Sequence, residues 1–77
     1  MNDTTSIVRI GSRVRMRDRG GDAEFCVVAS EDADASAGRV SVDSPLGRAL
    51  VGRRAGDEVR FRAPAGVLAV TVLEVND

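Results

Sequence analysis

Ser41-Val42-Asp43-Ser44-Pro45-Leu46-Gly47-Arg48-Ala49-Leu50-Val51, followed by Gly56-Asp57-Glu58-Val59, is the stretch that decides how this 77-residue chain is read. It begins as the end of a strand, with Val40 and Val42 alternating with polar neighbours. Ser44 suits a helix N-cap, because its hydroxyl can accept from a backbone N–H of the first turn. Pro45 suits the first helical position, where its missing N–H would have no partner anyway. Leu46, Ala49 and Leu50 then share one face at helical spacing. Gly52 is the expected stop, and Arg53 and Arg54 fall at the negative end of the helix dipole. The helix is therefore short, about two turns. Ala55-Gly56-Asp57 turns the chain into the next strand.

Working outward, the same alternation recurs. Val8, Ile10, Val14 and Met16 are apolar, whereas Arg9, Arg13, Arg15 and Arg17 take the other parity. Gly11 interrupts the run and permits a bend or bulge. One strand is expected over Ser12–Arg17, and Asp18-Arg19-Gly20-Gly21-Asp22 is a turn into a second at Ala23–Ala29. That second strand is apolar on both parities, as expected of a central strand covered on both faces. Glu31–Gly38 reads as a solvated acidic loop, and Arg39–Asp43 as a third strand. Glu58–Ala63 alternates, Pro64-Ala65-Gly66 turns, and Val67–Val75, the most apolar run, is expected as a buried or partly buried final strand. The fold class is therefore α+β: a small curved antiparallel sheet of about five strands with one short helix covering one apolar face.

Composition bounds the function. A chain this short is a single domain that buries only about 60–65% of the surface its unfolded form exposes. It contains no apolar run near the roughly 20 residues of a membrane helix, and no signal-peptide pattern at the N-terminus. The single Cys26 cannot form an internal disulfide and reads as a small core residue; the expected compartment is the cytoplasm. There is no histidine, tryptophan or tyrosine, and only Phe25 and Phe61 are aromatic. The usual neutral-pH acid–base group, an ordinary zinc site and an aromatic platform for stacking bases are thus all missing. The net charge is −1, and all eleven basic residues are arginine. No catalytic residue, cofactor or metal is expected.

Ser41, Ser44, Pro45, Leu46, Gly47, Ala49, Leu50, Val51, Gly56 and Asp57, at this spacing, resemble the signature of the C-terminal domain of the Gre transcript cleavage factors. The resemblance extends weakly over residues 11–75, and the domain is shared with the nucleoside diphosphate kinase regulator Rnk. It implies a fold similar to the macrolide-binding prolyl isomerases. It also implies docking on the rim of the secondary channel of bacterial RNA polymerase, through a surface that includes Asp43, Ser44, Pro45 and Leu46. Gre factors carry in addition an N-terminal helical hairpin whose acidic tip helps hold a catalytic magnesium ion. Here about ten residues precede the first strand, with Asp3 their one acid. Residues 1–10 are accordingly expected as a short, partly disordered extension and 11–77 as the Gre-like domain.

The expected function is that of a non-enzymatic regulator that binds RNA polymerase and competes with or modulates Gre-type factors. It would be a monomer or weak homodimer, with no membrane and no sequence-specific nucleic acid as partner. A stand-alone interaction or self-associating domain with a different partner is the alternative. Other features read more simply. The arginines at 9, 13, 15, 17, 60 and 62 form either a polyanion-binding face or, more readily, a solvated face paired with carboxylates such as Glu24 or Glu58. Glu31, Asp32 and Asp34 lack the spacing of a calcium loop. Two phenylalanines do not make the aromatic pocket of a prolyl isomerase.

Overall fold

The computed structural model describes residues 6–76. Five strands, β1 (Arg13–Asp18), β2 (Gly21–Val28), β3 (Arg39–Ser41), β4 (Glu58–Ala63) and β5 (Gly66–Asn76), form one sheet in the order β3-β2-β1-β5-β4. The two hairpins expected from the turn residues are β1–β2 and β4–β5, and both are antiparallel. The one α-helix among the described residues, α1, spans Pro45–Leu50.

The sheet is mixed rather than wholly antiparallel, because β3 runs parallel to β2, with Cys26, Val27 and Val28 opposite Arg39, Val40 and Ser41. A parallel pair needs a return path for the chain. The stretch expected as an open acidic loop supplies it through two 3-10 turns, Ser30–Asp32 and Ala35–Ala37. The path can be short because a three-residue strand advances the chain by only about 10 Å.

Register assigns the faces. Val14 lies opposite Phe25 and Val75, Met16 opposite Ala23 and Val72, and Val59 opposite Val70. These residues line the face on which α1 packs. Val72 and Val75 have opposite parity, and both reach the core because the β1–β5 register shifts between Arg15 and Met16, leaving Leu73 as the extra residue. The bulge explains why Val72 and Val75 are both buried, whereas Val67 and Leu68, earlier in the strand, are exposed although the sequence reads this whole run as buried or partly buried. The opposite face carries Arg13, Arg15 and Arg17, and on it lie Cys26 and Val28, half-buried; Cys26 is thus not the core residue that the sequence suggests. The second strand is therefore covered on one face only, since the single helix covers one side of a single sheet.

The core is Val8, Val14, Met16, Val27, Leu50, Val59, Val70, Val72 and Val75. Val8 precedes the sheet, yet it is buried and tied on both sides: its N–H donates to the Arg53 carbonyl (2.9 Å) and its carbonyl accepts from Gly52 N–H (2.9 Å). The bend expected at Gly11 is a turn, with Gly11 at φ +98° and its N–H on the Val27 carbonyl at 2.7 Å. Residues 1–5, at the head of the expected extension, lie outside the described residues.

Candidate functional site

The helix start is built around one carbonyl. The Ser41 carbonyl accepts from the Ser44 N–H (3.0 Å) and from the Ser44 hydroxyl (2.7 Å). The Ser44 Oγ in turn accepts from Gly47 N–H at 3.0 Å, which makes Ser44 the N-cap, with Pro45 next. Gly47 is buried at this junction, and a Cβ on it would lie 1.9 Å from the Ser41 oxygen. Side chains are thus excluded where the helix meets the end of β3. Gly52, at φ +88°, ends the helix, and the Arg53 Nε donates to the Ala49 carbonyl at 3.3 Å.

The four residues of the predicted patch fare differently. Asp43 and Pro45 are exposed, whereas Ser44 and Leu46 are half-buried. Leu46 packs against the core, so replacing it would disturb folding as well as any contact. The accessible chemistry of the patch is the Asp43 carboxylate and the Pro45 ring.

Around Asp43 the structure adds a residue that the sequence does not point to. The Ser30 hydroxyl bonds to the Asp43 carboxylate and lies 3.0 Å from the Ser41 hydroxyl. The Ser41 Oγ also accepts from Asp43 N–H at 3.0 Å. Ser30 stands thirteen residues before Asp43, and only the return path before β3 brings the two together.

The arginine face is paired rather than uniformly basic. The Arg17 Nε donates to the Asp22 Oδ1 at 2.8 Å, Arg15 reaches the Asp22 Oδ2 at 3.5 Å, and Arg60 lies 3.6 Å from Glu58. Arg9 stands outside this face, before β1. The Asp22 carboxyl is held below the usual range, chiefly by the Arg17 hydrogen bond. A group whose folded-state pKa is depressed contributes stability above its unfolded pKa, and that contribution is lost as pH falls through the folded value. Exposure and solvent screening keep the contribution small. In an NMR titration Asp22 should therefore titrate below ordinary aspartate, and Arg17→Ala should return it toward the usual midpoint. An ordinary midpoint in the unmodified protein would refute the pairing.

The acidic loop is structural as well. The Asp34 carboxylate accepts from both the N–H (3.1 Å) and the hydroxyl (2.7 Å) of Ser36, which holds its pKa down. Among the described residues, no three His, Cys, Asp or Glu side chains are grouped to hold a metal ion. A cleft of about 400 Å³ lies at the far end of the sheet, lined in part by Phe61, Val67, Leu68 and Val70. Phe61 is its one aromatic residue, which is too little for a prolyl-isomerase pocket. No helix among the described residues is long and apolar enough to cross a membrane.

A five-stranded curled sheet crossed by one short helix, with a Ser-Pro cap at the end of a short parallel strand, defines the C-terminal domain of bacterial transcription elongation factors of the Gre type. The family model described as "Transcription elongation factor, GreA/GreB, C-term" matches residues 3–77, and the chain belongs to that family. It is 43% identical over 71 residues to the transcription elongation factor GreA of Thermomicrobium roseum, and 40% identical over 75 residues to that of Chloroflexus aggregans. Those alignments cover 92% and 95% of this chain but 46% and 48% of the relatives, so the chain spans about half their length. Among solved structures, the GreA/GreB factor of Nitrosomonas europaea superposes with a TM-score of 0.76 at 33% identity, over 94% of this chain and 62% of that one. GreA factor homolog 1 of Thermus thermophilus superposes with a TM-score of 0.82 at 26% identity, over 100% of this chain and 53% of that one.

Proposed function

We propose that this chain is a non-catalytic RNA polymerase-binding module of the cytoplasm that acts in transcription elongation. It docks near the secondary channel through the helix start at Asp43, Ser44, Pro45 and Leu46, and it competes with or modulates Gre-type factors. The observation that carries this reading is the rigid presentation of Asp43 and Pro45. Both are exposed, on a turn fixed from beneath by the Ser44 cap and the Gly47 contact. A preorganised surface loses little conformational freedom on binding. The charge balance of the sheet face, with its paired arginines, favours a protein partner over direct binding of nucleic acid.

The test is retention of this chain by purified bacterial core RNA polymerase, with a full-length Gre factor as competitor. Binding that the competitor displaces is the expected result, together with no stimulation of transcript cleavage by the chain alone. Failure to bind, or binding untouched by saturating competitor, would overturn the reading. One observation favours a self-associating module instead. Val67 and Leu68 are 66% and 47% exposed beside the apolar cleft, and contiguous exposed apolar surface marks interfaces. Sedimentation over a wide concentration range separates the two.

A further inference from the structure

We propose that Ser30 and Ser41 are positioning residues that hold the Asp43 carboxylate in one orientation for a cationic group on the docking partner. The proposal rests on the reading of Asp43 as a docking contact and adds residues that this reading does not contain.

The argument is one of hydrogen-bond direction. Asp43 N–H can only donate, and it donates to Ser41 Oγ. An ionised carboxylate can only accept, so the Ser30 hydroxyl donates its proton to Asp43 Oδ2. Ser30 Oγ has then spent its one proton, and in the 3.0 Å contact between the two hydroxyls Ser41 is the donor. The bonds close into a ring that leaves the Asp43 backbone, passes through Ser41 and Ser30, and returns to the Asp43 side chain. Each hydroxyl donates once and accepts once. Such a chain polarises its members in one sense and opposes rotation of the carboxylate. Among the described residues no other hydrogen bond reaches this exposed carboxylate, so its second oxygen is available. A fixed carboxylate suits a guanidinium or ammonium partner, because less side-chain freedom is lost when the pair forms.

The test is a set of variants of the full chain measured against core RNA polymerase: Ser30→Ala, Ser30→Thr, Asp43→Ala and the double variant Ser30→Ala with Asp43→Ala. Loss of one positioning hydrogen bond is expected to weaken binding by about 3–10-fold in Ser30→Ala. Ser30→Thr, which keeps the hydroxyl, should restore it. In the Asp43→Ala background, Ser30→Ala should have no further effect. The same fold loss in both backgrounds, or undiminished binding by Ser30→Ala while Asp43→Ala binds weakly, would overturn the positioning role and leave the docking reading intact. Undiminished binding by Asp43→Ala would overturn the docking reading of that residue. A second measurement does not need the polymerase. The Hα–Hβ couplings of Asp43 should report a single rotamer in the unmodified chain and averaging in Ser30→Ala; averaged couplings in both would refute the ring.

Discussion

Replacing Gly47 by alanine is expected to remove about 3–4 kcal/mol of stability, more than the same change at any other glycine of the domain. The new Cβ would lie 1.9 Å from the oxygen and 2.8 Å from the carbon of the Ser41 carbonyl, and 3.0 Å from the Val42 Cα. All three are backbone atoms, so no side-chain rotation relieves the clash. The helix start must move off the end of β3, and the Ser41 carbonyl then loses the two Ser44 donors that fix the cap. Overpacking costs about 1–3 kcal/mol and occasionally more. A lost cap adds about 1 kcal/mol. A chain of this size is stable by only about 4–12 kcal/mol, taking roughly 0.05–0.15 kcal/mol per residue. The melting midpoint should fall by about 12 °C or more, at roughly 4–8 °C per kcal/mol for a domain of this length. Gly52→Ala is the control. Gly52 has φ +88°, but a Cβ there would meet nothing within 4 Å, so only backbone strain of about 1–2 kcal/mol is at stake. A Gly47→Ala variant as stable as Gly52→Ala would disprove the close approach. The patch carrying Asp43 and Pro45 is built on the same junction, so the docking proposed above predicts that Gly47→Ala also weakens polymerase binding in whatever fraction stays folded.

Leu50→Ala is expected to cost about 3 kcal/mol, within the range of about 2–5 kcal/mol for a buried leucine cut to alanine. Leu50 is 0% exposed and is the largest fully buried side chain of the core, in a cluster otherwise made of valines and Met16. Valines are stiff at χ1 and fill a cavity poorly by rotating, which argues against collapse around the gap. Leu50 also closes the end of a helix only six residues long, too short to be stable without packing. Urea unfolding should show a lowered midpoint with an unchanged slope, the sign of a pure stability loss. A loss below about 1 kcal/mol would mean that the helix is not anchored through this side chain.

Much of the architecture is legible because its causes are local. The Ser44 hydroxyl, the missing N–H of Pro45 and the positive φ of Gly52 act within a turn or two of chain, so the helix and its ends can be read in order along the sequence. The hairpins are equally local: Asp18 to Gly21 and Ala63 to Gly66 close over two residues each. Alternation on β1 and β4 marks one wet and one dry face wherever the sheet is regular. It misleads on β2, where Cys26 and Val28 are apolar yet lie on the open face. It is uninformative on β5, where the Leu73 bulge exchanges the parities. The patch residues Asp43, Ser44, Pro45 and Leu46 are legible as the start of a helix, but the sequence does not show that Leu46 turns inward while Asp43 and Pro45 stay exposed.

The sequence by itself determined the family, the capped helix, both hairpins and the absence of histidine or lysine chemistry, because each is a property of neighbouring residues or of composition. Only the tertiary structure decided that β3 runs parallel to β2, that Val8 belongs to the core, that Gly47 lies too close to the Ser41 carbonyl to carry a Cβ, and that Ser30 meets Asp43. Each of these depends on the distance between chain segments that no local pattern links. In a single sheet covered by one short helix, those distances follow from how the chain returns to the edge of β2 and where the β1–β5 register slips, and both are settled only when the whole sheet closes.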